Sequence, residues 1–155
     1  MSTRKWGSLL AFLLLTGACA WFGAQFEPGV WHAGLVKPDW NPPNKVFAPV
    51  WSALYLLIAI AGWLVWRDRP AEWTRTALLF WFVQLILNAL WSWLFFGLHQ
   101  PLWPLIDIGL LLIVIVGFMV ATRKAAPLAM WLFVPYFLWV AFATALNAAI
   151  WWLNR

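Results

Sequence analysis

The chain has 155 residues, 65% hydrophobic and 10% charged, with 16 tryptophans and a net charge of +5. Charged residues make up about a quarter of an ordinary soluble domain, so this composition excludes one, and with it any soluble catalytic or nucleic-acid-binding domain. The positive excess is explained by the way Lys and Arg fix membrane topology, not by a nucleic-acid partner.

A bilayer core takes about 20 apolar residues per helical crossing. Five segments reach that length, at 6–26, 45–66, 73–97, 103–122 and 128–153, each bounded by charge or by Pro and Gly. The predicted fold is therefore an all-α membrane protein, a bundle of five transmembrane helices forming one domain over 1–155. In the first segment Arg4 and Lys5 precede Leu9–Leu15, and Gly17-Ala18-Cys19-Ala20 offers small residues, as a signal peptide would. The apolar stretch continues through Phe26, which suits a retained span better. Cys19 is the only cysteine, so no intramolecular disulfide forms, and it reads as a small packing residue.

Residues 27–44 form the long polar gap. Pro38, Pro42 and Pro43 restrict its backbone, so it is expected to hold a fixed shape, either as a stiff connector or as a lid. Trp31, His32, Trp40 and Asn41 supply contact groups if it is a lid. His32 has no second His or Cys nearby in sequence, so no metal site is expected.

Within the spans, polar residues are few and are expected to face the bundle interior. The second span carries a stripe of Trp51, Tyr55 and Ile58. The third carries Gln84, Asn88, Trp91 and Phe95 at helical spacing, the fourth has Asp107 near its start, and the last has Tyr136, Trp139, Ala143 and Asn147. Trp6, Trp63, Trp66, Trp73, Trp131, Trp151 and Trp152 lie at span ends and fit an interfacial belt. Trp51, Trp91, Trp93 and Trp139 lie deeper, where an indole either lines a cavity or packs against core or lipid.

Alternating helix direction brings Trp51, Asn88, Trp91, Trp103, Asp107, Ala143, Leu146 and Asn147 to the leaflet beneath 27–44. Single amides there are explained by hydrogen bonds between helices; the whole set beneath one loop favours an aromatic pocket. Arg4, Lys5, Arg67, Arg69, Arg75, Arg123 and Lys124 share one side of the membrane and Lys37, Lys45 and Arg155 the other. Seven against three places the N-terminus inside and the C-terminus outside. No phosphate loop, zinc-protease motif, nucleophile elbow or carboxylate pair is present in the sequence.

The chain resembles the translocator protein family, also called TspO, tryptophan-rich sensory or peripheral-type benzodiazepine receptor proteins. The matching strings are Trp31…Leu35-Val36-Lys37-Pro38-Asp39-Trp40-Asn41-Pro42-Pro43, Pro49-Val50-Trp51-Ser52-Ala53-Leu54-Tyr55, Gln84 to Trp91 with Phe95-Phe96-Gly97, Asp107, and Pro135 to Asn147. The resemblance implies a pocket closed by the first loop that binds porphyrins such as protoporphyrin IX, and isoquinoline-carboxamide or benzodiazepine drugs. It puts the pocket on Trp51, Asn88, Trp91, Trp103, Asp107, Ala143 and Leu146, with Trp139 deeper. With Trp31, Trp40, Gln84 and Asn147, these are the candidate ligand-binding residues. In some bacterial relatives light-dependent porphyrin degradation is associated with pocket tryptophans, which makes Trp51 and Trp139 the catalytic candidates. No cofactor is required beyond porphyrin as ligand. The resemblance further implies a homodimer in contact with membrane lipid, in a bacterial cell membrane. Animal relatives carry a Tyr in a cholesterol-recognition stretch that Ala148-Ala149-Ile150-Trp151 lacks, so cholesterol binding is not expected. Three functions compete: a porphyrin-binding sensor, a light-dependent porphyrin-degrading enzyme, and a tetrapyrrole or lipid transporter. A transporter is expected to show internal repeats, which this sequence lacks.

Overall fold

The computed structural model describes residues 3–67 and 72–155, with side chains over 6–67 and 73–155. Arg69 lies outside them, as do the side chains of Arg4 and Lys5. Five long helices are apolar enough to cross a membrane: α1 (Thr3–Ala24), α3 (Phe47–Arg67), α4 (Glu72–Ser92), α5 (Leu102–Thr122) and α6 (Pro127–Leu153). A short helix α2 (Val30–Gly34) and a 3₁₀ turn (Asn44–Val46) lie inside loop one, so this loop has structure of its own. Three prolines stand where a missing N–H costs least, at the first position of α6 (Pro127) and within the first turns of α3 (Pro49) and α5 (Pro104), while Pro135 lies inside α6.

The helices close into a ring. α1 packs on α3 and α4, α3 on α6, α6 on α5, and α5 on α4. At the end away from loop one, α3 and α4 also meet across the interior. Gly62 makes this contact: a Cβ there would sit 2.4 Å from Trp81 Nε1 and 2.9 Å from Phe12 Cδ1. Trp81 is fully buried, lies edge-on to Phe12 at 4.8 Å, and donates its indole N–H to Ile58 O at 2.8 Å. Phe118 stacks on Phe133 at 3.9 Å and fills the space between α5 and α6. This half of the ring is solid.

Trp63 departs from the interfacial belt. It is 8% exposed and donates its N–H to Ser8 Oγ at 3.2 Å, because the small residues of α3 let α1 approach closely there. Trp93, read with the deeper tryptophans, is 40% exposed.

α4 does not end as a regular helix. Trp93–Gly97 form a π-helical turn, in which Leu98 N–H reaches back five residues to Trp93 O at 2.9 Å. Such wide turns concentrate at functional sites. This one stands at the loop-one end, where Phe95 stacks on Trp91 at 5.1 Å and meets Phe96 edge-on at 5.0 Å.

Candidate functional site

On the loop-one side the ring is hollow. A cavity of about 890 Å³ lies among α1, α3, α4, α5 and α6 beneath loop one, near the top of the roughly 300–1,000 Å³ range of small-molecule sites. Helical spacing explains its wall. Trp51 and Tyr55 are one turn apart on α3; Asn88, Trp91 and Phe95 follow on α4; Trp139, Ala143, Leu146, Asn147 and Ile150 follow on α6. Ile108 and Leu111 complete it from α5, and Ala20, Gly23 and Ala24 contribute little bulk from α1.

The floor is a hydrogen-bonded chain. Tyr55 OH donates to Asn88 Oδ1 at 2.8 Å, Asn88 Nδ2 to Tyr136 OH at 2.9 Å, and Tyr136 OH to Gln84 Oε1 at 2.8 Å. Gln84 Nε2 then donates to Trp81 O at 2.9 Å. Cys19 Sγ donates to Leu85 O at 3.4 Å and lies 3.7 Å from Tyr55 OH. An unpaired amide or hydroxyl inside a membrane bundle is costly, and here each of these groups is paired, so the network fixes the floor. One wall is braced similarly: Trp91 Nε1 donates to Asn147 Oδ1 at 3.1 Å, and Asn147 Nδ2 to Pro101 O at 2.9 Å. Trp139 Nε1 and both carboxylate oxygens of Asp107 are buried without a hydrogen-bond partner.

Loop one covers the opening. Trp31 packs on Phe95 at 5.6 Å and on His99 at 5.0 Å, His32 on Phe96 at 5.4 Å, and Trp40 on Phe142 at 5.7 Å. The Lys37 ammonium donates to His32 O, and to Leu35 O at 3.3 Å. Asn154 clamps the loop to the end of α6. Its Oδ1 accepts from Val36 N–H and its Nδ2 donates to Val36 O, both at 2.9 Å. Glu27, Pro28, His32, Asn41 and Asn44 border the cavity from the loop. Burial, and then the Lys37 charge, hold the His32 imidazole below its usual pKa.

Of the residues singled out from sequence, Trp51, Asn88, Trp91, Trp139, Ala143, Leu146 and Asn147 come together on the cavity wall. Trp31 and Trp40 sit in the covering loop and pack on wall aromatics without lining the space themselves. Gln84 is fully buried below the floor. Asp107 is 4% exposed, beside the lining Ile108 but not itself in the wall. Trp103 is 58% exposed: Pro104, Ile108, Leu111 and Ile115 form the inward stripe of α5, and Trp103 stands about 100° away from Pro104 around the helix. The sequence reading left Tyr55 and Tyr136 out of the site although both lay on its stripes.

Residues 9–153 match the TspO/MBR family. The chain is 42% identical over 147 residues to the tryptophan-rich protein TspO of Archaeoglobus fulgidus, covering 95% of this chain and 94% of that one. It is 36% identical over 151 residues to the human translocator protein, covering 94% and 89%. It is 37% identical over 142 residues to the tryptophan-rich sensory protein of Cereibacter sphaeroides, covering 92% and 88%. The matched region takes in α1 from Leu9 onward, the other four long helices and every residue of the cavity wall, and the chain belongs to the TspO/MBR family as a multi-pass integral membrane protein.

Proposed function

We propose that the protein is a membrane-embedded binding and sensing protein whose cavity takes a flat aromatic ligand of porphyrin size, protoporphyrin IX or a haem-type tetrapyrrole, and that isoquinoline-carboxamide or benzodiazepine drugs compete for the same space. The observation that carries this reading is the large cavity with indole walls at Trp51, Trp91 and Trp139, covered by loop one. Broad rings stack on broad rings, and water is kept from the apolar faces. Relatives named as a sensory protein and as a translocator protein support it. On this reading loop one is the lid, porphyrin is ligand rather than cofactor, and the protein works as a homodimer surrounded by lipid. We place it in a bacterial cell membrane with its N-terminus inside.

The test is a titration of the detergent-solubilised protein with protoporphyrin IX in darkness and then under light. Saturable binding that is weakened by Trp51→Ala or Asn88→Ala supports the cavity as the site. Unchanged affinity in both variants overturns it. Illumination separates binder from enzyme: a stable ligand spectrum supports a sensor, while protein-dependent bleaching that slows in Trp139→Phe at equal occupancy supports the light-dependent degradation reading.

A further inference from the structure

We infer that His32 is an axial ligand for the iron of a metalloporphyrin held beneath loop one, so that the protein distinguishes haem from metal-free porphyrin. This rests on the proposed tetrapyrrole reading and adds to it a residue and a preference.

The sequence argument against a metal site at His32 was that the chain offers no companion ligands. That argument holds for a bare ion, which needs several protein donors. It does not hold for iron in a porphyrin, which brings four nitrogens of its own and needs only one axial donor from the protein. Among the described residues no cluster of three His, Cys, Asp or Glu exists, and for this chemistry none is needed.

His32 meets the requirement in three independent ways. Its side chain borders the cavity. Its ring is held from the side by Phe95 at 6.1 Å and Phe96 at 5.4 Å, both edge-on, so the imidazole is positioned by packing on the π-helical turn of α4. Its ring nitrogens have no hydrogen-bond partner among the described residues; only its backbone O is engaged, accepting from the Lys37 ammonium and from Leu35 N–H at 3.4 Å. Burial, and then the Lys37 charge, lower the imidazole pKa and so favour the neutral ring, whose lone pair is what a metal takes.

The other candidate donors are engaged elsewhere, lie outside the cavity wall or are exposed to water. Tyr55 OH is engaged with Asn88 and Cys19. Cys19 is bound to Leu85 O and does not border the cavity. His99 packs on Trp31 outside it. Glu27 borders the mouth but is exposed to water. The step itself is simple coordination. A ring nitrogen of His32 donates its lone pair to an axial position of the iron and a bound water leaves; no electron is transferred.

The experiment compares wild type, His32→Phe and His99→Phe, each titrated with haemin and, separately, with protoporphyrin IX. His32→Phe keeps an aromatic ring against Phe95 and Phe96 and removes the donor. Wild type should give a haemin spectrum with a red-shifted Soret band characteristic of imidazole ligation. His32→Phe should lose that signature and at least about tenfold in haemin affinity, while protoporphyrin IX affinity changes by less than about threefold. His99→Phe should behave as wild type. In His32→Gly, added imidazole should restore the Soret position. An unchanged haemin spectrum in His32→Phe, with protoporphyrin IX still bound, overturns the ligation and leaves the tetrapyrrole reading standing. Haemin bound through His32 with no protoporphyrin IX binding supports the ligation and overturns metal-free porphyrin as a ligand. Failure of wild type to bind either overturns both.

Discussion

The two halves of the bundle use the same residue types to opposite ends. Away from loop one, Trp81, Phe12, Phe118 and Phe133 fill the ring, and Gly62 removes even a Cβ so that α3 and α4 can meet. Beneath loop one, Trp51, Trp91, Trp139 and Phe95 line a void of about 890 Å³. The void is stable because its floor is polar and fully paired through Tyr55, Asn88, Tyr136 and Gln84. The difference teaches that an aromatic-rich membrane helix becomes a wall or a plug according to what faces it. A glycine opposite Trp81 makes a plug; on the cavity side Ala20 and Gly23 line the space with little bulk.

The contrast breaks most severely at the plug. Trp81→Ala should cost about 3–5 kcal/mol of stability, the usual range for truncating a buried tryptophan, and also removes the indole hydrogen bond to Ile58 O. Thermal unfolding in detergent reads it, and the fraction that remains folded should keep its ligand affinity. On the wall, Trp51→Ala should do the reverse. Melting should be little changed, while porphyrin affinity falls roughly tenfold, or about 1–2 kcal/mol, as one ring's stacking is lost. Equal effects on melting from the two variants would erase the distinction between plug and wall.

The covering loop should respond more mildly. Asn154→Ala removes two hydrogen bonds from Val36, each contributing about 0.5–1.5 kcal/mol at most in an exposed setting. The ligand off-rate should rise several-fold with little change in on-rate, measurable by stopped-flow displacement. Replacing Pro42 and Pro43 together with Gly should act in the same direction, by widening the conformations the undocked loop samples.

The smallest effect concerns pH. The docked loop holds His32 below its ordinary value of 6.5, so the undocked loop binds the proton first. Docking is then fully favourable above pH 6.5 and weakens as pH falls from there toward the lowered value. The off-rate of protoporphyrin IX should rise over that interval, and His32→Phe should flatten the profile.

How much of this was legible in the sequence follows from what a membrane helix hides. Five spans were readable because length alone signals a crossing. Asn88 and Asn147 were readable as inward because an amide facing lipid is costly. Azimuth was not readable for tryptophan. In a soluble helix polar residues mark the outer face, but here lipid-facing and core-facing residues are both apolar, so the pattern that would separate Trp63 from Trp131, or Trp91 from Trp93, is missing. Trp63 is 8% exposed and Trp131 63%, yet both stand at span ends. Trp103 misled for a related reason: topology gave its leaflet, and only the stripe of Pro104, Ile108 and Leu111 gives its direction. The helix inside loop one was hidden as well, since Val30–Gly34 is a single turn and a half of mixed sequence, held by Phe95 and Phe96 rather than by its own propensity.

The Asn154–Val36 clamp also orders the assembly of the molecule. Its partners are 118 residues apart, and α6 is the helix that joins α3 to α5 and closes the ring. During synthesis loop one emerges early, yet its anchor arrives only after α6 has been made and inserted. Until then Trp40 lacks its ring partner, because Phe142 comes from α6 as well. The cavity is thus the last part of the protein to come into existence. A defect in inserting α6 removes the wall and the cover in a single event, while the plug between α3 and α4 forms without it.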